Sequence, residues 1–211
     1  MGGVAGKQGS EGHRERLLAA ALVCLREKGY AHTTARDLVA ASGTNLASIG
    51  YHFGGKEALL NEALASVVRD WTARVEQAMF GGPPVRDTRE LLERVLVALI
   101  DVFDELRPLI ISCVEAYAPA LRSDALRARL AESYAESRRD GAAMIRRAAA
   151  ELGVEVPADP EAVVSVLVAI SDGLMLQWLA DPASTPDARQ ALDALAALSV
   201  VAAPERAAPG R

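Results

Sequence analysis

The sequence predicts an all-α protein in which a small N-terminal three-helix bundle with a helix-turn-helix precedes a larger C-terminal helical body. Three observations carry this expectation. Ala, Leu, Glu and Arg dominate a chain of 211 residues with only 4% aromatics, and these four are good helix formers. Apolar residues recur at spacings of three and four, the period of an amphipathic helix, while the alternating Val/Thr/Tyr runs of strands are absent. Stop signals at Gly29, Gly43, Gly81 to Pro84 and Gly153 divide the pattern into about nine helices.

Taken in order, residues 1–10 are Gly-rich and read as a disordered tail. The first helix runs from Glu11 to Lys28 on a stripe of Leu17, Leu18, Ala21, Leu22 and Leu25, with Gly29 as its stop. Thr34 and Asp37 form a capping box for a short second helix that ends at Gly43. Asn45 caps a third, also short. Two short helices joined through a glycine turn are the helix-turn-helix pattern. A long fourth helix spans Lys56 to Met79 and is broken by Gly81-Gly82-Pro83-Pro84. Thr88 opens the next, which places Leu92, Val95, Leu96, Leu99, Phe103 and Leu106 inward; a bend or break is expected at Pro108. A short helix then reaches Pro119, and a long one runs from Ser123 to Leu152. Asp159-Pro160 starts an apolar helix to Leu179, and Thr185-Pro186 starts the last. The domain boundaries read from this pattern are 11–55 for the helical head, 56–203 for the body and 204–211 for a C-terminal tail.

Composition excludes several classes. Cys24 and Cys113 have no CxxC spacing, so neither a disulfide framework nor a metal site is expected. Both read as small buried apolar residues of a reducing cytoplasm; a redox role for Cys113 is the lesser alternative. The N-terminus has no apolar core of a secretory signal. The apolar stretch 162–180 contains Asp172, which argues for a buried helix and against a membrane span. No metal spacing, phosphate loop or nucleophile motif is visible, so no catalytic residue, cofactor or metal is assigned. The net charge of −5 is uneven: residues 1–56 hold seven basic and four acidic residues, leaving −8 for the remainder. A basic head on an acidic body is suited to a polyanion that meets only the head.

The segment "TTARDLVAASGTNLASIGYHFGGKEALL", residues 33–60, resembles the DNA-binding signature of TetR/AcrR-type transcriptional regulators. The resemblance covers Thr at the start of the second helix, Ala-x-Gly in the turn, a recognition helix ending in aromatic-His-Phe, and Lys-Glu-x-Leu after it. It implies a cytoplasmic, homodimeric regulator, most simply a repressor released from a pseudo-palindromic double-stranded operator by a small-molecule effector of apolar or amphipathic character. The C-terminal helical body would then be the ligand-binding and dimerisation domain. The rival readings are a helical enzyme, for which no catalytic cluster exists, and a protein-interaction bundle without DNA binding, which leaves the basic head unexplained.

The resemblance also assigns residues. Arg36 is a base or phosphate reader, the alternative being a solvated surface arginine. Thr34 caps its helix, whose N-terminus can also receive a phosphate. Asn45 caps the recognition helix, with base contact secondary, and Ser48 faces the groove. Periodicity groups Leu46 with Ile49, Gly50 and Phe53 as core, whereas the family register turns Leu46 toward DNA; the latter is favoured. Tyr51, His52 and Lys56 match backbone contacts, which fix register. Gly50 departs from the bulky aromatic usual in the family. In the body, Trp71, Phe103, Ile110, Val114, Tyr117, Tyr134, Ile145 and Met175 are ligand-binding candidates, each with ordinary core packing as its alternative. Ile170, Leu174 and Trp178 with Leu192 and Leu195 are candidates for the dimer interface.

Overall fold

The computed structural model describes residues 4–156 and 158–202. Among them it has nine helices and no strand: α1 Val4–His32, α2 Ala35–Ser42, α3 Leu46–Phe53, α4 Lys56–Phe80, α5 Thr88–Ile100, α6 Phe103–Leu121, α7 Asp124–Leu152, α8 Pro160–Ala180 and α9 Ala188–Ala202. Helix α1 begins at Val4, so residues 4–10 continue the first helix where a tail was expected. The expected tail 204–211 lies outside the described residues.

The local start and stop signals act as written. Thr34 Oγ1 accepts from the Asp37 amide at 3.2 Å, while Thr34 donates its own amide to the Asp37 carboxylate at 2.8 Å, completing the capping box of α2. The side chain of Asn45 accepts from the Ser48 amide at 3.0 Å. Gly43, Gly54 and Gly153 close their helices in the left-handed conformation. Gly29 breaks α1 with φ 79 and ψ 171, a region open essentially to glycine alone.

Two boundaries differ from expectation. The chain breaks at Asp101-Val102, and Pro108 lies inside α6 with Pro119. Both prolines are exposed and near the ends of α6, where each missing N–H frees only one carbonyl to solvent. Helix α9 is capped by Asp187 in place of Thr185: Asp187 accepts from the Gln190 amide at 2.8 Å, and Gln190 returns a bond to the Asp187 amide at 3.0 Å.

One hydrophobic core crosses the boundary expected at residue 55. Leu17, Leu25, Leu38, Ile49 and Phe53 of the head are continuous with Leu59 and Leu60 of α4, Phe103 and Leu109 of α6, and Trp178 of α8. Phe103 is 1% exposed. It meets Trp71 edge-on at 6.0 Å and Trp178 at 5.6 Å between ring centroids, separations at which aromatic pairs attract beyond simple burial. Smaller clusters join α4, α5 and α7 around Met79, Val95 and Met144, and α5 to α9 around Leu96 and Leu192.

The head is fixed to α6 by polar bonds as well. Ser112 donates to the Leu25 carbonyl at 2.9 Å in a fully buried setting. The Glu115 carboxylate accepts from the Ala31 amide at 3.1 Å, capping the turn after Gly29. A Cβ on Gly29 would lie 2.9 Å from that carboxylate. Gly29→Ala therefore combines left-handed strain with displacement of Glu115, and should destabilise the fold by about 1–3 kcal/mol, measured by urea unfolding of the purified protein.

Candidate nucleic-acid interface and body cavity

Helix α3 has two distinct sides. Ile49 and Phe53 are buried in the bundle, whereas Leu46, Ala47, Gly50 and Tyr51 are exposed along one stripe. Leu46 is 57% and Tyr51 80% exposed, far beyond what an ordinary packed helix leaves to large apolar side chains. Leu46 thus turns outward, and the periodic grouping of Leu46 with the core fails. A helix of eight residues is about 12 Å long, comparable with the width of the DNA major groove. A Cβ at Gly50 would meet nothing within 4 Å, so its lack of a side chain is not required by packing.

The other head residues divide into free and engaged groups. Arg36 is exposed on the first turn of α2, and none of the ion pairs of the described residues uses it. Thr34 and Asn45 are exposed caps. His52 is half-buried and stands edge-on to Tyr51, with centroids 4.9 Å apart. Ser48 corrects the expectation: it is 9% exposed and faces α1, with its Oγ 3.2 Å from Asn45 Oδ1 and 3.4 Å from His13 Nδ1. Lys56 is also engaged. Its Nζ donates to the Thr33 carbonyl at 3.0 Å and lies 3.5 Å from Glu57, which gives an internal reason for a cation at a helix start. Lys28 pairs with Asp37, whose carboxyl is held far below the usual carboxylate range by that ammonium and by Thr34. Arg14 pairs with Glu62 and lies 5.4 Å over the Phe53 ring. The N-terminus of α2 already holds the Asp37 carboxylate, so an added phosphate there would meet a like charge.

The body holds a partly open cavity of about 470 Å³ between α4, α5, α6, α7 and α8, within the range of small-molecule sites. Of the expected ligand residues, Trp71, Tyr117, Tyr134, Ile145 and Met175 line it. Phe103 and Ile110 do not, being buried in the main core, and Val114 lies outside at 37% exposure. The sequence reading missed Asp172 and Ser171, which also line the cavity. A carboxylate inside an otherwise apolar helix was the available signal.

Tyr117, Tyr134 and Asp172 form a polar relay on the cavity wall. Tyr134 donates to Asp172 Oδ2 at 3.0 Å, and the Tyr117 and Tyr134 hydroxyls are hydrogen-bonded. Because the Tyr134 proton points to the carboxylate, Tyr117 is the donor to Tyr134. Burial raises the Asp172 carboxyl above its ordinary value, opposed only in part by the Tyr134 bond. Cys113 lines the same cavity and is half-buried, packed against the main core, where a buried residue was expected. Loss of hydration and the nearby Asp172 push its thiol up to about 12, which keeps it protonated and poorly nucleophilic. Helix α8 is long and apolar enough to cross a bilayer, but it packs against α6 and α7 and carries Asp172 into the protein cavity.

The expected dimer residues are largely internal to one chain. Trp178 and Leu192 are buried in their own cores, and Leu174 and Leu195 pack against these clusters. Ile170 is half-buried. The outward apolar positions of α8 and α9 are Val166, Leu176 and Leu198. A helix that is apolar all round does not show by periodicity which side meets its own body.

Comparison with known proteins matches both halves of the chain. A model described as bacterial regulatory proteins of the TetR family matches residues 17–63. A second, described as the C-terminal part of BetI-type transcriptional repressors, matches residues 88–200. The HTH-type transcriptional repressor KstR2 of Rhodococcus jostii (strain RHA1) is 31% identical over 93 residues, covering 44% of this chain and 46% of that protein. The match thus spans about half the length of that relative. Among solved structures, a TetR-family transcriptional regulator from Rhodococcus sp. is similar at 26% identity and a TM-score of 0.70, covering 92% of this chain and all of that one. A transcriptional regulator from Streptomyces coelicolor A3(2) is similar at 26% identity and a TM-score of 0.66, covering 88% of this chain and 97% of the other.

The Asp172 environment has a pH signature. A carboxyl with a raised folded-state pKa favours folding below its unfolded value and loses that contribution as pH rises through the folded value. Asp172→Asn should therefore raise the melting temperature at pH 7, and the gain should shrink as pH falls toward 4 and below. Differential scanning calorimetry of both proteins across this range checks the sign.

Proposed function

The chain belongs to the TetR family of transcriptional regulators, and from that premise we propose that it is a homodimeric repressor released from its operator by a small-molecule effector. The outward stripe of α3 supports the DNA-reading half. Two such helices related by a two-fold axis would enter successive major grooves of a pseudo-palindromic site. Arg36 is the leading base reader, Tyr51 and His52 hold the backbone, and Leu46 offers an apolar contact to a thymine methyl. Lys56 takes the smaller share, because its ammonium already has an internal acceptor. The setting is the cytoplasm, where operator DNA is found.

One observation carries the ligand-released half. Helix α6 lines the cavity with Cys113, Ala116 and Tyr117 and, through Ser112 and Glu115, also grips α1 of the head. A ligand that displaces α6 therefore moves the head with it, which links occupancy of the cavity to the spacing of two DNA-reading helices. The outward apolar positions Val166, Leu176 and Leu198 are the surface for the second copy.

Fluorescence anisotropy with labelled operator tests the interface. Arg36→Ala should lower operator affinity about tenfold and narrow the gap to scrambled DNA, as loss of one base reader does. Gly50→Tyr should tighten operator binding by adding a backbone contact; weaker binding would instead mark Gly50 as a point of close approach.

Sedimentation velocity tests the assembly. The wild-type chain should sediment as a dimer, and Val166→Glu should shift it toward monomer while lowering operator affinity in parallel.

A further inference from the structure

We propose that the body cavity takes an organic cation, a protonated or quaternary amine on an apolar body, with the Asp172 carboxylate as its counter-charge. This rests on the reading of the cavity as the effector site and adds the chemistry of the effector. Asp172 belongs to none of the ion pairs of the described residues, and its hydrogen-bond donor is the Tyr134 hydroxyl. That hydroxyl is itself supplied by Tyr117, so the relay orients the carboxylate, and none of the side-chain hydrogen bonds of the described residues uses its Oδ1. The surrounding wall is largely apolar, including Val68, Leu167, Val168 and Met175.

The alternatives are less compatible with this wall. Asp172 is half-buried with one hydrogen-bond donor, and a neutral apolar ligand would remove its remaining water without replacing it, which is costly for a carboxylate. An anion would add repulsion to Asp172 and to the half-buried Glu136, which also lines the cavity; Glu132, a further lining carboxylate, is exposed and screened. Glu62, a further lining residue, is already satisfied by Arg14. The two lining arginines, Arg69 and Arg129, are exposed, where water screens them. A cation removes the penalty at Asp172, and the rings of Trp71, Tyr117 and Tyr134 offer faces that attract positive charge.

The test is a matched pair of probes that differ only in charge: phenyltrimethylammonium and its carbon isostere tert-butylbenzene. Titration calorimetry uses the full chain without DNA. The wild type should bind the cation at least about tenfold more tightly than the isostere, within the coupling measured for close charge pairs. Asp172→Asn should abolish that preference. In the wild type, lowering pH through the protonation of Asp172 should weaken the cation and leave tert-butylbenzene unchanged, a readout that needs no variant. Equal binding of the two probes, no binding of the cation, or a preference retained by Asp172→Asn would overturn the proposal. Operator binding measured on the same preparation separates the two readings. Intact DNA binding without cation binding removes only the effector chemistry, and cation binding without DNA binding removes the repressor reading.

Discussion

The Ser112 hydroxyl and the Leu25 carbonyl meet in a region without solvent, at the centre of the packing of α1 on α6. A helix carbonyl bonded by a buried side chain cannot be released without a desolvation cost, so this contact fixes the two helices together at a defined register. Glu115 repeats the attachment one turn farther along, at the amide of Ala31. Everything functional lies on one side or the other of this seam. The head carries the α3 stripe, and the adjoining face of α6, with Cys113, Ala116 and Tyr117, forms a wall of the cavity. A core centred on Phe103 runs through the seam, which makes head and body one mechanical unit.

The cavity and the recognition helix are connected by a second route. Glu62 lines the cavity, Arg14 pairs with it, and the Arg14 guanidinium lies over Phe53 at the end of α3. The Ser112 bond of the α6 seam is buried, whereas the Arg14 pair is partly exposed and open to screening. The two routes therefore differ in salt sensitivity.

What the sequence made legible follows from the range of the interactions involved. The caps at Thr34, Asn45 and Asp159 and the stops at Gly43 and Gly153 were readable because capping is settled within three or four residues. The exposure of Leu46 was not readable from periodicity in so short a helix, and required the family register. Ser48 was misplaced because its burial depends on His13, far away in sequence. Pro108 was misread because its effect depends on where α6 starts, and the break at Asp101-Val102 has no strong local signal. Cavity residues were separable from core residues only in three dimensions: Trp71 and Phe103 are neighbours in the fold, yet only one faces the cavity. Asp172 was visible in sequence as an argument against a membrane span, and its position in the cavity depends on the packing of α7 against α8.

The internal pairing of head charges changes what a polyanion encounters. Arg14 and Lys28 are both held by carboxylates, and Lys56 is held by a carbonyl and the neighbouring Glu57. With Arg16, which donates to the Gly12 carbonyl, four of the seven basic side chains counted in the first 56 residues are thus committed within the chain before any contact is made. Each committed cation would release fewer counterions on association than a free one. The head consequently offers a polyanion less uncommitted charge than its formal count suggests, which gives the free Arg36 and the uncharged outward surface of α3 a larger share of what it presents at contact.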